Sequence, residues 1–114
     1  MILEKPVADG PITDFDTLDA AVQASPFHVW LGVRLKSLGD DGIEITMPWR
    51  PEFVSEPSVG YTHGGILGAL VDLAGDYAVM AKLGRTLATA EAHVYDERDK
   101  LVASGRAVYL TLAR

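Results

Sequence analysis

His63, Gly64, Gly65 and Asp72 are the residues whose types and spacing could do chemistry. They stand in Gly60-Tyr61-Thr62-His63-Gly64-Gly65-Ile66-Leu67-Gly68-Ala69-Leu70-Val71-Asp72, a stretch that runs on to Lys82. Two glycines at a helix start leave backbone N–H groups bare at the positive end of the helix dipole. Such an end binds an anion, or an oxygen that is becoming one. Asp72 is a lone carboxylate among Leu70, Val71, Leu73 and Ala74. Burying it there is costly unless it is partnered or its unusual environment is used. Asp76 lies one turn on and on the same side, so the two would repel if both were charged.

The element that must position these groups is a long helix over His63–Lys82. Apolar residues at 66, 67, 69, 70, 71, 73 and 74 fall on every face, and a helix apolar all round is expected to be buried. It reads as too short, and too interrupted by Gly and Asp, for a membrane span. Its length is about 30 Å at ~1.5 Å per residue. Asp72 follows His63 by nine residues, which puts the two half a turn out of phase and about 13 Å apart along the axis. The Gly64 end and Asp72 of one chain therefore cannot meet at one substrate atom. They meet if a second copy lies antiparallel, its Asp72 facing this copy's Gly64, which predicts a two-fold dimer with its site across the interface.

The Gly60-x-x-His63-Gly64-Gly65 pattern with Asp72 nine residues after the histidine resembles the hotdog-fold thioesterases of the phenylacetic-acid-degradation (PaaI-like) group. Ser25-Pro26-Phe27 before Leu31-Gly32, and a closing hairpin from Thr86 to Leu112, agree with it. The resemblance implies an α+β hotdog fold, an antiparallel sheet wrapped around a long central helix. It implies an acyl-CoA thioesterase, with coenzyme A as part of the substrate and no cofactor. Asp72 would act as general base on water or as nucleophile. Gly64 would donate its N–H to the thioester oxygen, and His63 would sit beside the carbonyl, brace the loop or cap the helix. Gly65, Tyr61, Arg85 and Arg106 are the candidate substrate-binding residues. The assembly would be a homodimer, or a tetramer built from it. A non-catalytic acyl-CoA-binding module of the same fold is the rival reading.

Composition bounds the rest. The 114 residues make one domain, with 48% hydrophobic and 23% charged residues, enough for a core. A net charge of −6 argues against nucleic-acid binding. Residues 82 to 114 nevertheless hold Lys82, Arg85, Arg98, Lys100, Arg106 and Arg114 against four acids, a basic patch that could hold the phosphates of coenzyme A. Cysteine is absent, which excludes disulfides and thiolate chemistry. Three scattered histidines make no metal site. The start has no apolar run for a signal peptide, so the cytoplasm is the expected location, with no membrane partner.

Along the chain, residues 1–12 read as a tail. A short amphipathic helix spans 13–25, with Thr13 as N-cap and Ser25-Pro26 as its stop. His28 falls in a loop. Leu31, Val33 and Leu35 alternate as a strand, Gly39-Asp40-Asp41-Gly42 turns, and Ile43 to Trp49 returns. Residues 50–61 form a connecting loop. In the last hairpin Ala88, Ala90, Ala92, Ala103, Gly105 and Ala107 build a face of small side chains, which predicts close approach to the long helix.

Two departures from the group stand out. Its members carry about two more strands between the central helix and the last hairpin, whereas here Lys82-Leu83-Gly84-Arg85 leads almost directly into Thr86. The reading taken is a segment missing near 82–86. The group's asparagine six residues before the motif histidine is Pro57, between Glu56 and Ser58.

Overall fold

The computed structural model describes residues 12–81 and 87–110, with side chains at 12–81 and 90–106. Helix α1 (Phe15–Gln23) begins one residue later than the sequence predicts, because Asp14 and not Thr13 is its N-cap. The Asp14 carboxylate accepts from the Thr17 N–H at 2.9 Å and the Thr17 hydroxyl at 2.8 Å. These bonds hold its carboxyl below the ordinary value. Ser25-Pro26 does stop α1, but it also starts α2 (Pro26–Leu31), with Pro26 in the first turn. Proline is well suited there, since its missing N–H would have no helical partner anyway. His28 is thus helical, not in a loop. Its Nδ1–H donates to the Val22 carbonyl at 2.8 Å, and its ring meets Tyr77 edge-on at 5.8 Å. Gly32 ends α2 at φ 78°, a left-handed conformation that glycine adopts without strain.

Strand β1 (Arg34–Gly39) pairs antiparallel with β2 (Gly42–Thr46) through the expected turn. Leu31 belongs to α2 and not to this strand. The segment read as a loop contains a short ribbon, β3 (Val54–Glu56) with β4 (Tyr61–Thr62), after a single 3-10 turn at Pro51–Phe53. Helix α3 (Gly64–Ala81) follows, then β5 (Leu87–Tyr95) and β6 (Leu101–Leu110) close the chain as a hairpin. Among the described residues the strands pair two by two, and β2, β5 and β6 pack against α3. The architecture is α+β, a long helix against antiparallel strands, the hotdog arrangement. Residues 82–86, where a missing segment is expected, and residues 1–11 of the tail lie outside the described residues. Ile12, at the end of that tail, is tied down: its N–H donates to the Met80 carbonyl at 3.1 Å.

The core joins Leu18 and Val22 of α1, Leu31, Val33, Leu35 and Phe53 to Leu73 and Tyr77 of α3. Asp19 fastens α1 to β1, accepting from Leu35 N–H at 3.2 Å and pairing with Arg34 at 2.8 Å. The Tyr77 hydroxyl reaches the Ala21 carbonyl at 3.3 Å, and its phenol is pushed above its ordinary value by burial and then by the Asp76 carboxylate.

The expectation that α3 is buried all round is corrected within one chain. By length and composition alone its 18 residues, with a mean hydropathy of 1.3, match a membrane span, as core helices also can, and 22% of them are buried. Helical periodicity sorts them into three rows. Leu73 and Tyr77 face the core with Ile66, Ala69, Leu70 and Met80 partly buried beside them. Val71 turns to the closing hairpin, and Gly75 and Val79, both buried, continue that row. Gly64, Gly68, Asp72 and Asp76 form the third row, and all four are exposed.

The small-residue face of the hairpin does meet the helix. A Cβ built on Gly105 would lie 2.7 Å from Val71 Cγ1, and Ala92, paired with Gly105, is buried. Gly105→Ala is expected to cost about 1–3 kcal/mol of stability. In a double-mutant cycle read by urea denaturation, Val71→Ala should recover most of that loss. Additive costs would mean that the crowding lies elsewhere.

Candidate functional site

His63 is the N-cap of α3. Its carbonyl accepts from Ile66 N–H at 3.0 Å and Leu67 N–H at 3.3 Å, and its Nδ1 accepts from Gly65 N–H at 2.9 Å. Of the roles open to His63, helix capping is therefore made. Because Nδ1 accepts, the ring proton of the neutral imidazole sits on Nε2, a second donor at the same helix end. Gly65 is committed to this cap, and a Cβ there would lie 3.1 Å from Nδ1.

Gly64 is different. Among the described residues nothing accepts from its N–H. A Cβ built on it would meet nothing within 4 Å, and its φ is not left-handed. Among the described residues neither backbone conformation nor packing requires glycine here. Open space in front of a bare N–H at a helix N-terminus is what an incoming oxygen needs.

Asp72 lies two turns along the same exposed row, about 12 Å from Gly64 along the axis. One chain does not bring the two together, as their spacing predicts. In the single chain Asp72 is exposed rather than buried. Tyr61 is 68% exposed immediately before the mouth. Arg106 lies on the hairpin face turned away from α3, where it is paired with Glu91 across the strands. That pairing holds the Glu91 carboxyl below its ordinary value. Arg85 lies outside the described residues. Around Pro57, the Glu56 carboxylate accepts from Ser58 Oγ at 2.8 Å and Ser58 N–H at 3.2 Å. Both polar groups flanking Pro57 thus bond to each other within the turn.

Sequence reasoning passed over Phe53 and Trp49, which brace the mouth. Phe53 is fully buried and its carbonyl accepts the His63 N–H at 2.7 Å. Trp49 donates Nε1–H to Thr62 Oγ1 at 3.0 Å. Trp30 packs against Phe53 with ring centres 6.0 Å apart. The available signal was the apolar pair Phe53-Val54 between Glu52 and Ser55 in a segment read as loop.

Comparison with solved structures gives two relevant likenesses. One is the X-ray structure of a protein described as from the thioesterase superfamily. It superposes with a TM-score of 0.81 at 36% identity, over 86% of this chain and 98% of that one. The other is a thioesterase family protein from Silicibacter pomeroyi, with a TM-score of 0.53 at 19% identity, over 82% of this chain and 67% of that one. At 19% the likeness is of fold alone. No protein-family model matches this chain, and no curated protein does.

Proposed function

Since this chain belongs to the thioesterase superfamily, we propose that it hydrolyses an acyl-CoA thioester to a carboxylic acid and coenzyme A, at a site shared by two copies of the chain. Within the superfamily we place it with the PaaI-like group, on the His63-Gly64-Gly65 and Asp72 spacing. The observation that carries the proposal is the Gly64 N–H, bare and fronted by open space, on the same exposed row as Asp72.

In the proposed reaction the thioester oxygen lies against the Gly64 N–H, with the helix dipole adding to the pull. The Asp72 carboxylate of the second copy takes a proton from water as the water oxygen attacks the carbonyl carbon. Negative charge collects on the carbonyl oxygen at Gly64. The C–S bond then breaks, and the proton held by Asp72 passes to the departing sulfur.

The row itself supports the two-fold. Gly68 lies midway between Gly64 and Asp72, so an antiparallel helix crossing at Gly68 sets each Gly64 opposite the other copy's Asp72. A Cβ on Gly68 would meet nothing within 4 Å among the described residues, and a glycine at a crossing lets two backbones approach closely. Gly68→Leu is expected to keep the fold, to shift light scattering from dimer to monomer and to abolish thioester hydrolysis. A dimeric, active G68L protein would remove the shared site.

Pro57, in place of the group's asparagine, favours the second reading, a module that binds acyl-CoA without turnover. A panel of aryl- and fatty-acyl-CoAs separates the two: hydrolysis of any member supports the enzyme, and binding of coenzyme A without turnover of any supports the module.

A further inference from the structure

Arg50 stands where the chain leaves β2 for the mouth of α3, and the reaction above does not use it. Its guanidinium carbon is 4.4 Å from the centre of the Trp30 ring and 4.7 Å from that of Phe53. The planar cation is thus held against two aromatic rings. Its Nε and Nη2 are buried without a hydrogen-bond partner, and no other buried side-chain nitrogen or oxygen among the described residues is left so. A guanidinium does not escape burial by losing its proton, and a buried donor left unpaired carries its full desolvation cost. Nε–H and Nη2–H share one edge of the plane, the edge with which arginine grips a carboxylate or phosphate through two parallel bonds. Packing has fixed the plane of this group and left its gripping edge without an acceptor.

Its position links it to the mouth from two sides. Phe53, one wall of the sandwich, accepts the His63 N–H, and Trp49, the preceding residue, is bonded to Thr62. Phe53 is fully buried, whereas Trp30, the other wall, is 51% exposed on the short helix α2. Trp30 stacks on Phe27, itself half exposed, with ring centres 6.3 Å apart. Trp30 is thus the wall of the sandwich that faces solvent.

We propose that Arg50 is an anion receptor for the ligand at the helix mouth, taking a carboxylate or phosphate group on its Nε/Nη2 edge as Trp30 moves aside. This rests on the thioester reading, which supplies two sources of such an anion: the phosphates of coenzyme A, or a carboxylate at the far end of the acyl group.

The test is calorimetric titration of Arg50→Met and Arg50→Lys beside the unaltered protein. The probes are coenzyme A and the butyryl and succinyl thioesters of N-acetylcysteamine, which carry no phosphate; the acyl probes are titrated in an Asp72→Asn background. R50M should fold and melt no lower than the parent. It should lose affinity by roughly tenfold to a hundredfold, the weight of a charged two-pronged contact. Loss for coenzyme A identifies the phosphate, and loss for the succinyl but not the butyryl thioester identifies the carboxylate. R50K keeps a charge between the rings without the forked edge and should lose the same binding. Unchanged affinities for all three probes would overturn the proposal. So would an R50M protein that fails to fold together with an R50K protein that binds like the parent, since Arg50 would then be structural. If the parent hydrolyses no thioester yet R50M loses affinity for coenzyme A, the anion receptor stands and the hydrolase reading falls.

Discussion

Asp72→Asn is expected to lower kcat on acyl-CoA substrates by about 10²- to 10⁴-fold, the range that a positioned acid–base group supplies. The change keeps the size of the side chain and its capacity to bond, and removes the charge that takes a proton from water. KM should move little, because the amide still fills the same space. The fold should persist, since asparagine keeps the shape of the side chain and Asp72 is no part of the core. Steady-state kinetics with a thiol-trapping reagent, together with a thermal melt, make the measurement. Activity surviving within a few-fold would show that Asp72 is not the base.

Gly64→Pro gives the second large effect, through the backbone. Gly64 is the first residue of α3 after the His63 cap. Proline is favoured at that position, where the N–H has no helical acceptor. The space a Cβ would occupy is open among the described residues. The fold should therefore survive, judged by circular dichroism and the thermal midpoint. What disappears is the N–H proposed to meet the developing oxyanion, and loss of one such donor costs about 10²- to 10³-fold in kcat. Gly64→Ala is the control, because it retains the N–H. A G64P protein that turns over normally would move the oxyanion donor elsewhere, with His63 Nε2–H the next candidate at the same helix end.

Mixing the two variants examines the shared site directly. A dimer of one D72N chain and one G64P chain holds one intact pair, the Gly64 of the first opposite the Asp72 of the second. Random exchange should restore about a quarter of the native sites if the pair spans a two-fold. If both groups served one site within a chain, mixing would restore nothing.

The elements of this fold were legible where periodicity and side-chain size speak plainly. Ala90, Ala92, Ala103 and Gly105 marked a hairpin face made to lie close to something thick, and Gly105 indeed meets Val71 with no room for a methyl group. The β1–β2 turn at Gly39–Gly42 was readable because the alternation of Val33 and Leu35 stops before it and that of Ile43 and Ile45 starts after it. Helix α2 was not legible. Pro26 reads equally as the stop of one helix and the first turn of the next, and six residues hold too little periodicity to decide. The ribbon β3–β4 was hidden for a similar reason: two or three residues carry no alternation to detect, and their pairing is set by the turn between them.

For the candidate site the division is sharper. Sequence alone determined that the glycine mouth and Asp72 sit on one helix, too far apart and out of reach of each other in a single chain, because helix geometry converts spacing into distance. Tertiary structure decided which side of that helix stays open. An all-apolar helix gives no hint of its covered faces. Only the packing of α1 and β2 on the side of α3 that carries Leu73 and Tyr77, and of the closing hairpin on Val71, leaves Gly64, Gly68 and Asp72 outside. Tertiary structure also decided that His63 caps the helix and that Arg50 lies between Trp30 and Phe53. Those are contacts between residues distant in the chain or set by local backbone angles, and neither distance nor angle is written in a string of residue types.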